Sequence, residues 1–365
     1  MFTSFWKLRP EESDQLRRYM CSALYRSYTD GQYAASDFWA DLSRRTFTAI
    51  NGDMVMLHSG HRFIEETKLS NSSFADRVRN SIIGILSMSG WVLQWLTIVH
   101  SYVGSSLKAA EEVRLKRICR KSLARAGRAE KLERGGVAIP EILSGAAKYN
   151  ESKVYDSIEN MFYIESILEH STYAPLFLEI GAGAGLTSLL LLDRVPNSKV
   201  VICDLPVSIC VGYTLTCFFG QSTQFKALLP HQISAEALKM GLFDIAFITP
   251  DQLALLEPGS VDGIVNVHSM QEMTIATIRS YFEAIRHVAR KGAFFYCKNL
   301  EISKQYVDTR FEDYPWDLLG QTILDGVAEY ATSVYTEGSE RIRVRLVRVE
   351  GSGEGDAEGA VRDTR

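Results

Sequence analysis

Apolar and polar positions change their period near residue 150, and that change divides the chain. Before it, Phe38, Trp39, Leu42, Phe47 and Ile50 recur at roughly helical spacing, the mark of a helix face turned to a core. No period-two alternation lasts long enough to build a sheet. Residues 1–148 are therefore expected to form a helical N-terminal domain that binds acceptor, covers the site or dimerises. Ser152 to His170 continues as an amphipathic helix, with Tyr155, Ile158, Phe162, Ile164, Ile167 and Leu168 at its apolar positions.

From Leu176 onward, short apolar runs alternate with helical stretches. Strands are predicted from Leu176 into Glu179 and at Lys199–Cys203, Phe243–Thr249, Val261–Val267 and Ala293–Cys297. Helices fall at Leu186–Leu192, at Leu205–Phe219, and where Ile275, Ile278, Phe282, Ile285 and Val288 share a face. Val327–Tyr335 and Arg341–Val349 read as a closing antiparallel pair turning around Gly338. Strand–helix alternation of this kind predicts a doubly wound, Rossmann-like α/β domain over residues 149–350. The tail 351–365, rich in Gly, Glu, Asp and Ala, is expected to be disordered.

Composition removes several function classes. A net charge of −4 over 365 residues gives no broad basic field, so nucleic acid is not an expected partner. Six cysteines without a C-x-x-C pair suit a reduced, cytoplasmic protein without a zinc site. Met1–Ser13 lacks the basic start and apolar core of a secretory signal. His58 and His61 stand three apart with no nearby carboxylate or cysteine to complete a metal set. Asn80–Leu107 carries no Asp, Glu, Lys or Arg and exceeds the ~20 residues a membrane span needs. Its serines, glycines, Gln94 and Thr97 favour a buried helix or helical hairpin at a homodimer interface over membrane contact.

The chemistry starts where the first predicted strand opens into Gly181, Gly183 and Gly185. In the dinucleotide fingerprint G-x-G-x-x-G the third glycine would fall on Leu186, and an acid, Glu179, precedes the turn. Asp204 ends the second strand 19 residues after Gly185, where a carboxylate accepts both hydroxyls of a ribose. These features favour S-adenosyl-L-methionine as cofactor. The glycines admit the methionine and ribose parts without a Cβ clash, and Glu179 fixes the loop or meets the ammonium group. Asp251, or Gln252 in its place, accepts from the adenine amino group.

The fourth strand ends in Asn266-Val-His268-Ser-Met-Gln271-Glu272-Met273, which puts two bases where a methyl group would be presented. His268 is the natural base at neutral pH; Glu272 orients the imidazole or acts itself. Asn299 and the run Arg310 to Trp316, including Asp313, place charged groups beside aromatics, a combination that suits a sugar. No ligand cluster requires a metal.

Together, Phe177–Gly185, Ile202–Pro206, Phe247–Gln252, Asn266–Met273 and Arg310–Trp316 resemble the sugar O-methyltransferases, class I enzymes of bacterial surface-glycan and natural-product genes. The resemblance spans about residues 140–320; its most specific part is N-x-x-S-x-Q-E-M at Asn266–Met273, alongside Asp313-Tyr314-Pro315-Trp316. It implies five parallel strands closed by an antiparallel hairpin, and methyl transfer to a hydroxyl of a sugar or glycosylated small molecule. It supports Glu272 more firmly than His268, and Ala184 departs from the larger residue usual in the turn. Competing readings are an amine or phenol acceptor, or a non-catalytic binding or assembly protein with the same sheet.

Overall fold

The computed structural model describes residues 2–26, 47–51, 54–59, 142–143, 146, 151–168, 175–219, 225–303, 308–336 and 340–350. Its described N-terminal residues include a small sheet that the periodicity did not announce. Strands β1 (Phe2–Lys7), β2 (Phe47–Asn51) and β3 (Met54–Ser59) form an antiparallel sheet in the order β1-β3-β2, beside helices α1 (Pro10–Cys21) and α2 (Ala23–Arg26). Phe47 and Ile50 thus sit on a strand. Runs of five or six residues are too short to declare a period of two, and the Asn51-Gly52 dipeptide between β2 and β3 was the better signal. Phe38, Trp39, Leu42, His61, the segment Asn80–Leu107 and the tail lie outside the described residues. No helix among the described residues is long and apolar enough to cross a membrane.

The second half is the predicted sheet. After α3 (Glu151–Leu168) come β4 (Leu176–Ile180), α4 (Leu186–Arg194), β5 (Lys199–Cys203), α5 (Pro206–Phe219), β6 (Ala227–Leu228), α6 (Ala235–Met240), β7 (Ile245–Ile248) and β8 (Val261–Val267). Then follow α7 (Ile275–Val288), β9 (Ala289–Leu300), β10 (Gly320–Val327), α8 (Glu329–Tyr335) and β11 (Ile342–Val349). The strand order is β10-β11-β9-β8-β4-β5-β7-β6, parallel from β9 to β6 and antiparallel at β11 and β10. This is the Rossmann-like sheet that the resemblance implies, with one short extra edge strand, β6.

Two boundaries moved. The closing hairpin pairs β10 with β11, and Val327–Tyr335 contributes α8 instead. β10 is mostly exposed at the sheet edge, so burial imposes no alternation on it, whereas Ala328, Tyr330 and Ala331 are buried at helical spacing. β9 also runs further than expected and carries Lys298 and Asn299 inside the sheet rather than after it.

Strand alternation sends side chains to two cores. Phe177, Val200, Ile202, Phe247, Val265 and Tyr296 pack with α3, α4, α5 and α8 on one face. Leu178, Val201, Ile248, Ile264, Phe295 and Val347 pack with α6 and α7 on the other. The N-terminal unit joins the first core, with Trp6 edge-on to Phe218 and Phe219 of α5.

Candidate active site

The chain reverses its order between β4, β5 and β8, and a ligand cleft belongs beyond the carboxyl ends of these strands. Gly181, Gly183 and Gly185 all take left-handed φ, at 69°, 55° and 71°. A Cβ on Gly181 would lie 2.2 Å from Ser269 Oγ, so that glycine is required twice over. Gly185 caps α4 without a side chain to offer, and buried Glu179 does the capping from the strand below, accepting from the Ser188 hydroxyl and backbone. Burial pushes the Glu179 carboxyl up to about 7, against the pull of Ser188. Glu179 thus holds the turn, the first of its two expected roles.

Asp204, at the end of β5, accepts from the Gly183 N–H at 3.0 Å and the Leu205 N–H at 2.7 Å. Each oxygen keeps a lone pair for a further donor. Burial pushes this carboxyl up to about 6, with the two N–H groups drawing it back. Asp251 is exposed just beyond β7. Gln252 is spent on the protein: its amide bonds Pro230 O at 3.0 Å and accepts from Thr249. That leaves Asp251 as the group free to face a ligand.

Three buried polar atoms without hydrogen-bond partners, one of them against the turn, add to the site. Thr216 Oγ1 stands where a Cβ on Gly185 would meet it at 2.9 Å. The Tyr19 hydroxyl, from α1, feels the charges of Asp204 and Asp251, and its ring stacks on His231, whose Nδ1 is also unpartnered. Such orphans are costly unless a ligand completes them, and a nucleoside with hydroxyl and amino groups fits that need.

Near the end of β8, Asn266 is a hub. Its Nδ2 donates to Ile180 O at 2.9 Å, and its Oδ1 accepts from Asn299 Nδ2 at 2.8 Å. Asn299 accepts from the Gln271 N–H at 3.1 Å, and Gln271 accepts from the Leu300 N–H at 2.8 Å. Most of the N-x-x-S-x-Q-E-M run therefore braces β4, β8 and β9 together. Asn299 is a fully buried strut, which corrects its expected contact with substrate. Glu272 is buried in the single turn Met270–Glu272.

His268 differs. It has a left-handed φ of 59°, strained for a residue with a Cβ, and 24% of its side chain is open. Its Nε2 lies 3.5 Å from Asp156 Oδ2 on α3, and its ring meets Tyr335 of α8 edge-on at 5.2 Å. Asp156 in turn binds Lys298 Nζ at 2.6 Å, and Glu159 is 3.3 Å from the same ammonium. Asp156, an acid that linear spacing did not offer, is thus beside the His268 Nε2.

Arg310–Trp316 serves the opposite face. Trp316 stacks on Tyr314, donates to Phe311 O at 2.8 Å and packs edge-on to Phe282 of α7. The Arg345 guanidinium lies 4.6 Å from the Trp316 ring centroid and bonds Glu312 at 2.7 Å, with Asp325 as a further partner. Arg310 and Asp313 are exposed beside this packing. The aromatic run is a brace for β11, and the structure does not bring it together with His268.

No family model and no curated protein matches the chain. Among solved structures it is similar to a geranyl diphosphate methyltransferase in complex with SAM, at 13% identity over 54% of this chain and 88% of that one, TM-score 0.37. It is also similar to the geranyl diphosphate C-methyltransferase of Streptomyces coelicolor A3(2), at 11% identity over 56% and 86%, TM-score 0.37. A phosphoethanolamine N-methyltransferase of Haemonchus contortus aligns at 12% identity over 59% and 61%, TM-score 0.33.

Several site residues escaped the sequence reading, Thr216 of α5 and His231 among them. Asp156 and Glu159 sit within the amphipathic helix that leads into β4, where acids look like a solvated face. Tyr19 belongs to a region read as a separate domain. The pairing of Lys298 with α3 had no signal in linear spacing.

Proposed function

We propose that the chain is an S-adenosylmethionine-dependent O-methyltransferase acting on a hydroxyl of a sugar or glycosylated small molecule. The observation that carries the cofactor assignment is the left-handed glycine turn tied through Gly183 to the Asp204 carboxylate. Asp204 would receive the ribose hydroxyls, Asp251 the adenine amino group, and Tyr19 and Thr216 the remaining polar edge. When bound, the sulfonium supplies the methyl group. This chain's residues then align the acceptor oxygen behind the carbon–sulfur bond and take its proton, with His268 and Glu272 as the candidate bases. The sugar rests on the sequence resemblance, because Trp316 braces β11 and Arg310 and Asp313 are exposed beside that packing.

Calorimetry with S-adenosylhomocysteine tests the cofactor. Binding should be measurable in the wild type and lost in Asp204→Ala; equal affinity in that variant would overturn the assignment. Mass spectrometry of products from nucleotide sugars, glycosides, phenols and amines, with methyl-labelled cofactor, tests the acceptor. Label on an amine and on no hydroxyl would overturn O-methylation.

A further inference from the structure

Lys298 is fully buried, on the face of β9 that packs against α3, and it meets two acids one helical turn apart, Asp156 and Glu159. A buried ion cluster gains little stability over apolar packing, so its retention asks for a reason. The charges supply one. Burial pushes the Asp156 carboxyl up, but Lys298 and His268 outweigh it and hold the group well below the usual carboxylate range. Burial and the Asp156 charge push Glu159 up, against Lys298. One ammonium therefore faces one firmly ionised carboxylate and one acid that ionises reluctantly. The ionised oxygen not bonded to Lys298 is the one turned to His268 Nε2.

We propose that His268 is the base of this site, working as its Nε2–H tautomer, with Asp156 and Lys298 as the positioning residues that leave Nδ1 free for the acceptor. This rests on the methyltransferase reading above. Two further observations support it. At 3.5 Å the buried Nε2 makes no formed hydrogen bond, but the Asp156 carboxylate at that range favours a proton on Nε2 over Nδ1 through its charge. The His268 N–H donates to Lys298 O at 2.7 Å, so the residue that fixes Asp156 also fixes the backbone of the base. The groups shown against the imidazole are Asp156 from α3, held by Lys298 of β9 with Glu159 on the same ammonium, and Tyr335 from α8. With the cofactor bound, His268 Nδ1 would take the hydroxyl proton as the acceptor oxygen gained the methyl carbon and the carbon–sulfur pair departed with sulfur. The imidazolium so formed is neutralised by Asp156.

Long-range proton–nitrogen correlation on histidine-labelled protein tests this without an acceptor. His268 is identified among seven histidines by its loss in His268→Asn, a residue that tolerates the left-handed backbone. In the neutral form, wild type should show a protonated Nε2 and an unprotonated Nδ1, and Asp156→Asn should admit the other tautomer. A wild-type Nδ1–H tautomer would overturn the proposal, and so would an unchanged tautomer in Asp156→Asn. Should Asp156→Asn fail to fold, the wild-type spectrum alone decides. S-adenosylhomocysteine affinity should stay within about twofold of wild type in His268→Asn, while turnover on a hit from the acceptor library falls about 100-fold or more. Retained turnover would sink the assignment of the base. Absence of S-adenosylhomocysteine binding in the wild type would instead remove the methyltransferase reading and leave the tautomer measurement standing.

Discussion

At the scale of residues, the site combines groups that declare themselves in sequence with groups that do not. Asp204 gives the sharpest prediction. Its carboxyl, raised to about 6, must be ionised to accept from both ribose hydroxyls, so the S-adenosylhomocysteine association constant should fall toward tenfold per pH unit below 6. Calorimetry between pH 5 and 8 reads this slope, and a flat profile would remove Asp204 from the contact. The sign for stability is the reverse: a raised carboxyl favours the ligand-free fold below its unfolded pKa and loses that contribution as pH rises through 6. Glu179 acts in the same sense through about 7. The glycines, Glu179 and Asp204 were legible because each sits at a strand end and does local backbone work. Asp156 and Lys298 were not, because 142 residues separate them and only the docking of α3 on β9 joins them.

At the scale of elements, β4, β5, β7 and β8 were legible to within two residues, since burial on both faces leaves uninterrupted apolar runs. β9 extends past both expected ends, and β6 was missed. The β10 edge was not legible either, because that strand is mostly exposed. Its attachment depends on charge instead: Arg345 of β11 clamps Asp325 of β10 and Glu312, under the Trp316 ring. Arg345→Met should therefore cost about 2–4 kcal/mol in urea denaturation while leaving S-adenosylhomocysteine affinity unchanged. An unaltered midpoint would show that the clamp contributes nothing. A fall in affinity without loss of stability would return the aromatic run to the ligand site.

For the whole molecule, the described N-terminal strands and helices share one core with the large sheet. Trp6 is wedged against α5, and the Tyr213 hydroxyl reaches back to Gln15 Oε1 at 3.1 Å. Trp6→Ala should cost about 3–5 kcal/mol. It should also weaken S-adenosylhomocysteine binding, because Tyr19 is carried on the same unit. Denaturation and calorimetry on the folded variant check both, and full affinity there would separate Tyr19 from the cofactor. The left-handed backbone at His268 bears on how such a chain diverges. Glycine, asparagine and aspartate occupy that conformation cheaply, and β-branched residues do not. The easiest substitutions at this position are thus ones that keep the β8 turn and discard the imidazole. On the role proposed for His268, a lineage drifting there would keep the turn and lack the base, so the identity of residue 268 would sort its descendants by turnover.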